Sequence, residues 1–175
     1  MKTKWLILLG IIITLLVSMC SVPAFAEEKA TPDEVYNLIL SAIPIIEKLG
    51  DEGLKAFNDP KGEFVYKDTY VFAVNCDSLE IVAHPSPKMI GYKMGSGLDK
   101  NPDPAKKVVV GNKLCEAGDK PYGEWVAYYW TKLNDPQPYR KISFSIKVAG
   151  TKYILVAGIY DETASVDELN AKLGK

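Results

Sequence analysis

Three neighbouring segments near the C-terminus constrain the fold most: GEWVAYYW (residues 123–130), RKISFSIKVAG (140–150) and TKYILVAGIYD (151–161). Each is rich in β-branched and aromatic residues, and turn-formers separate them: Asn134, Pro136 and Pro138 in the first gap, Gly150 in the second. They read as one antiparallel meander. Side chains alternate faces along a strand, so Trp125, Ala127 and Tyr129 oppose Val126, Tyr128 and Trp130, and neither row is polar. A sheet that cannot leave either face in water needs a cover on both sides, two helical layers or one helical layer and a bound ligand. The middle segment sets Ile142, Phe144 and Ile146 against Lys141, Ser143, Ser145 and Lys147. Polar groups beside aromatic rings are the usual lining of a small-molecule pocket.

Upstream, Thr31 is placed as an N-cap, with Pro32 at the first helical position and Glu34 completing a capping box. Val35, Leu38, Ile39, Ala42, Ile46 and Leu49 recur at helical spacing up to a stop at Gly50, with a kink expected at Pro44. A second short helix is expected through Leu54 and Phe57, ended by the turn Asn58–Gly62. Tyr70–Asn75 and Ile81–His84 read as a hairpin about Cys76-Asp77-Ser78. From Pro85 to Tyr122 the chain is loop-like, with one helix expected between Ala105 and Cys115, although Val108–Val110 are poor helix formers. Val166–Leu173 closes the chain as a short helix capped by Ser165. This order describes an α+β fold: a PAS-like five-stranded antiparallel sheet with a long N-terminal helix and a helix-containing insert between strands 2 and 3.

The first residues describe a secretory signal peptide: Lys2 and Lys4, the apolar run Trp5–Val17, and the small-x-small site Ala24-Phe25-Ala26. Cleavage there predicts a signal peptide over residues 1–26 and one domain over 27–175, in the periplasm or secreted. A rival reading makes Cys20 a lipidated cysteine, against which Met19 is bulkier than that processing normally tolerates. Removing Lys2 and Lys4 takes the basic count from 21 to 19 against 22 acidic residues, a net charge of −3, which argues against nucleic acid as a partner. In an oxidising compartment the remaining cysteines, Cys76 and Cys115, are a disulfide candidate. Closing that loop is worth about 4 kcal/mol in the chain-entropy model. His84 is the only histidine, and it has no CxxC or HxxxH neighbour, so no metal site is expected. GxSxG, HExxH, P-loop and GxGxxG signatures are absent, which argues against an enzyme and implies no cofactor.

The segments FNDPKGEFVYKDTYVFAVNCDSLEIVAHP, GEWVAYYW, RKISFSIKV and YILVAGIYD, in this order and spacing, resemble the single Cache domain family of bacterial extracytoplasmic sensors over roughly Thr31–Asp161. The resemblance implies a PAS-like sheet with the long helix on one face and a small ligand, often a short carboxylate, on the other beneath the insert. It makes Lys141 the candidate to fix the carboxylate, His84 a second donor, and Ser143 a hydroxyl on the same face. Trp125, Tyr128 and Trp130 are candidate walls, Met89, Tyr92 and Tyr122 a candidate lid. In receptors of this family a transmembrane helix and a signalling module follow the domain, whereas this sequence ends at Lys175. A ligand signal is therefore expected to pass through a separate partner, a membrane sensor or transporter protein. The alternative is a structural or adaptor protein that docks a partner through the same fold without a small-molecule ligand.

Overall fold

The computed structural model describes residues 28–133 and 135–174. The expected signal peptide, Cys20 and Asn134 lie outside those residues. The chain opens with α1 (Pro32–Leu49), where Thr31 Oγ1 accepts the Glu34 N–H and Glu34 accepts the Thr31 N–H, so the capping box is complete. The helix continues through Pro44, and a 3-10 turn over Gly50–Phe57 follows it.

Among the described residues seven strands follow: β1 (Val65–Tyr66), β2 (Thr69–Tyr70), β3 (Phe72–Asn75), β4 (Glu80–Ala83), β5 (Glu124–Lys132), β6 (Asp135–Lys147) and β7 (Tyr153–Tyr160). β1 and β2 form a small hairpin, and the other five make one antiparallel sheet in the order β4-β3-β7-β6-β5. Helix α2 (Val110–Gly118) precedes β5, and α3 (Val166–Asn170), capped by the Ser165 hydroxyl, ends the fold.

The sheet is covered on both sides, as its two apolar faces require. On one side α1 lays Val35, Ile39, Ala42 and Ile46 against Ile142, Phe144, Leu155 and Ala157. On the other, α2 and the insert cover Val74, Ile81, Val126, Ile154 and Val156. α2 sits very close to the strands: Ser145 Oγ donates to the Leu114 carbonyl at 2.8 Å, and a Cβ at Gly118 would lie 2.5 Å from Ile154. The Cys76–Cys115 disulfide joins the end of β3 to this helix.

Four boundaries differ from the sequence expectations. Tyr70–Asn75 is not one strand: the Val71 N–H bonds the Phe64 carbonyl, so Tyr70 belongs to the small hairpin and the sheet strand starts at Phe72. The helix expected over Ala105–Cys115 is a 3-10 turn at Pro104–Lys106 and then α2, because Val109 pairs with Leu98 as an isolated bridge instead of winding. The first gap of the meander is not an extended turn, since β6 already begins at Asp135 and runs through Pro136 and Pro138 opposite β5. The C-terminal helix stops at Asn170, short of Leu173.

Candidate functional site

Strand register assembles the site. Tyr128 of β5 lies opposite Lys141 of β6, and Lys141 lies opposite Tyr160 of β7. The three therefore form one row across the sheet on the insert side, with Lys141 flanked by two phenol rings. Tyr70 and Phe72 approach from the third direction. The Lys141 ammonium is 4.5 Å from the Tyr70 ring centre, 5.1 Å from that of Tyr160 and 5.6 Å from that of Phe72. Its Nζ donates to the Tyr70 hydroxyl at 3.3 Å.

Lys141 is 2% exposed, yet among the described residues no carboxylate stands within ion-pair distance of it. Lysines are almost never fully buried unless paired. Burial works to strip its proton, but the surrounding phenols of Tyr160, Tyr70 and Tyr128 work to hold that proton on. The group titrates above ordinary lysine and is cationic at neutral pH.

His84 follows β4 and is also buried. Its backbone N–H is held by Asn58 Oδ1 at 3.0 Å, and its Nδ1 accepts the Ser86 N–H at 2.8 Å. That bond leaves the ring proton on Nε2, which has no protein acceptor among the described residues. Burial, and then the Lys141 charge, lower its pKa to about 3. The pair is thus a cation beside a neutral N–H donor.

Between them is a cavity of about 10 Å³, on the scale of one water molecule. β5 supplies Tyr128 and Trp130 to its lining, and β4 with the residue after it supplies Ile81 and His84. Met89 and Met94 come from the insert, and Tyr70 and Phe72 complete the wall. The insert is fastened across it at both sheet edges. At β4 the Met94 N–H bonds the Leu79 carbonyl at 2.7 Å and Lys93 pairs with Glu80; at β5 the buried Asp99 carboxylate accepts the Tyr129 N–H at 2.9 Å and the Val108 N–H at 3.2 Å.

Of the residues named from sequence, His84, Met89, Tyr128, Trp130 and Lys141 meet at this cavity. Ser143 is next to it, its Oγ 3.0 Å from the Tyr128 hydroxyl, in a space kept by Gly158, where a Cβ would lie 2.4 Å from that oxygen. Tyr92 lies outside the lining, exposed, its ring 6.1 Å from that of Trp130. Trp125 is on the opposite face, packed 5.4 Å from Phe144 beneath α1, because side chains alternate along β5. Tyr122 is exposed and lies against Gly174, away from the cavity. Tyr70, Phe72, Ile81, Met94 and Tyr160 were not foreseen. The alternation of Tyr70, Phe72 and Val74 carries a signal for the first two, but pairing β3 with β7 rather than with β5 is a long-range choice that local sequence does not encode.

Comparison with known proteins gives concordant results. The family model described as Cache domain matches residues 45–165. Three solved structures share the fold. A methyl-accepting chemotaxis protein from Vibrio parahaemolyticus matches at TM-score 0.56 and 20% identity, over 78% of this chain and 89% of that one. A Cache chemosensory domain solved to explain carboxylic acid recognition matches at TM-score 0.60 and 19% identity, over 74% and 92%. A periplasmic sensor domain of a chemotaxis protein matches at TM-score 0.55 and 18% identity, over 74% and 90%. No curated protein matches the chain. With a five-stranded sheet in the order β4-β3-β7-β6-β5 under a long N-terminal helix, and a family model spanning most of its length, this chain belongs to the Cache domain family.

Proposed function

We propose that the protein is an extracytoplasmic sensor domain that binds a short organic acid at Lys141 and passes the signal to a separate partner, a membrane sensor or transporter protein. The observation that carries this reading is a buried ammonium without a carboxylate partner, next to a neutral histidine N–H. A buried charge is costly unless it is paired, and a ligand carboxylate is the partner that would repay the cost. His84 then donates through Nε2 to the same anion, and Tyr128 and Trp130 supply the aromatic walls. The carboxylic acid recognised by one of the structurally similar Cache domains points the same way. In this reading the change on binding passes to that partner by contact. By linkage, a partner that prefers the liganded form tightens ligand binding by the same factor.

The adaptor reading has one observation in its favour, a cavity that side chains nearly fill. It leaves the Lys141 charge without a purpose, whereas Met89 and Met94 give a ligand-binding cavity side chains flexible enough to make room. A thermal-shift screen of the residue 27–175 chain against small organic acids, amines and amino acids, followed by calorimetry on the hits, separates the two. For an acid, Lys141→Ala is expected to weaken binding roughly ten- to a hundred-fold, the loss of one charge-assisted contact of about 1.5–3 kcal/mol. Equal affinity in the variant removes Lys141 from the site, and a screen without hits favours the adaptor.

A further inference from the structure

The insert is apolar on its outside as well as its inside. Met89 and Met94 line the cavity, but Ile90 is 41% exposed, Tyr92 40% and Leu98 54%. These three do not stand apart from one another. A Cβ at Gly97 would lie 3.1 Å from the Tyr92 hydroxyl, which puts Leu98 beside that ring, and the Tyr92 ring is 6.1 Å from the ring of Trp130. The Lys100 ammonium lies over the same Trp130 ring, 5.6 Å from its centre.

The charge of this strip runs against that of the chain. Residues 87–107 hold five lysines and two aspartates, although acidic residues outnumber basic ones over the whole sequence. All five lysines are exposed. Asp99 is buried and gives its carboxylate to backbone N–H groups, Asp103 pairs with Lys106, and Lys93 pairs with Glu80. Among the described residues that leaves Lys88, Lys100 and Lys107 with no carboxylate at ion-pair distance. The antiparallel bridge between Leu98 and Val109 brings Lys107 back alongside the segment that carries Lys100.

We propose that this outer face of the insert, Ile90, Tyr92 and Leu98 among Lys88, Lys100 and Lys107, docks the protein on an anionic lipid surface. Protein interfaces are depleted in lysine, because each long side chain must be fixed on one partner atom. A bilayer surface asks for no fixed partner: lysine stems lie along it with their ammonium groups among the headgroups, tyrosine and tryptophan rings favour that same layer, and isolated aliphatic side chains reach below it. The acidic remainder of the chain is repelled, which gives the docked molecule one orientation. The proposal does not depend on the ligand read at Lys141.

The test is co-sedimentation of the residue 27–175 chain with vesicles of phosphatidylcholine alone and of phosphatidylcholine mixed in equal parts with phosphatidylglycerol. Wild type is expected to pellet with the mixed vesicles, to stay in solution with the neutral ones, and to be released by salt. Reversing Lys88, Lys100 and Lys107 together to Glu should weaken binding about a hundred-fold or more, since each lysine at such a surface is worth roughly five-fold. Ile90→Ser combined with Leu98→Ser should weaken it about ten-fold. Lys48→Glu, Lys55→Glu and Lys61→Glu together change the net charge equally, in and after α1, and should keep most of the binding. Thermal unfolding verifies that each variant is folded, and Lys100→Glu alone, with a loss of about ten-fold, serves if the triple variant is not. Equal pelleting with both vesicle types, unchanged binding in either insert variant, or an equal loss in the α1-side control overturns the proposal. A wild type that pellets with neither vesicle overturns it as well, and capture of that protein by immobilised poly-glutamate through the same three lysines would assign the face to an acidic protein instead.

Discussion

The two faces of the sheet are made by the same strands and differ in what they bury. Under α1 the buried side chains are aliphatic or aromatic, with Ile39 and Ile46 meeting Ile142, Phe144 and Leu155, and the Tyr153 hydroxyl reaches outward to Asp51. Under the insert, one residue along each strand, Lys141, Ser143 and Ser145 are buried, and His84 joins them. The first face is what a domain of this size needs to stay folded. The second spends part of that stability on a desolvated charge and on polar atoms that each require a specific partner. In the proposed reading recognition and stability are divided between the faces, and each of the following measurements puts that division at risk.

The largest effect belongs to the helix face. Phe144 is fully buried between Trp125 and Tyr36, with ring centres 5.4 and 5.0 Å away. Phe144→Ala should cost about 3–5 kcal/mol in urea denaturation, the loss of a large buried side chain plus the cavity it leaves. A loss below about 1 kcal/mol would mean that this face is not the densely packed one.

The same division explains what was legible in the sequence. Helix α1 could be read because its signals are local: Thr31, Pro32 and Glu34 fall within four residues, and the apolar stripe repeats within the helix. Strands β5 and β7 were equally plain from composition. Lys141 stood out because it interrupts an aromatic and β-branched neighbourhood. The misjudged parts depend on contacts made far along the chain. Val109 is drawn out of a helix by Leu98, and Pro136 and Pro138 are carried in a strand because β6 at that end pairs with β5 alone. The other half of the cavity comes from Tyr70, Phe72 and Met94, which long-range strand pairing and insert closure bring to Lys141. Trp125 shows the converse: alternation in the sequence already separated it from Tyr128, and its ring went to the helix face.

A smaller effect belongs to the insert face alone. His84 has a pKa of about 3 when folded and the ordinary 6.5 when the chain is unfolded. The unfolded state therefore binds more protons between those values. The stabilisation is fully present above pH 6.5 and is lost as the pH falls toward 3. Between pH 6.5 and 5 the loss from this one group should be about 2 kcal/mol. Glu34, whose carboxyl is held down to about 2 by Lys67, adds its own loss only below the ordinary carboxylate range. His84→Gln should flatten the stability profile between pH 6.5 and 5, and Phe144→Ala should leave its slope intact. An equally steep profile in His84→Gln would place the pH dependence elsewhere.

The smallest effect carries the most information because its sign is unusual. Removing a buried side chain normally destabilises, but Lys141→Met keeps most of the volume and discards a desolvated charge. What it loses is one long hydrogen bond to Tyr70 and the attraction of three rings, and what it gains is an apolar side chain of similar volume buried in place of a charge. The ligand-free variant is expected to be more stable than wild type by about 1 kcal/mol. It should also release part of the depression of the His84 pKa, since the Lys141 charge is the second cause of that depression, so the pH-dependent loss levels off at a higher pH than in wild type. Acid binding should weaken in the same variant as it does in Lys141→Ala, roughly ten- to a hundred-fold. A Lys141→Met protein that is clearly less stable than wild type would make Lys141 part of the structural core, and the two faces would then differ in composition without differing in purpose.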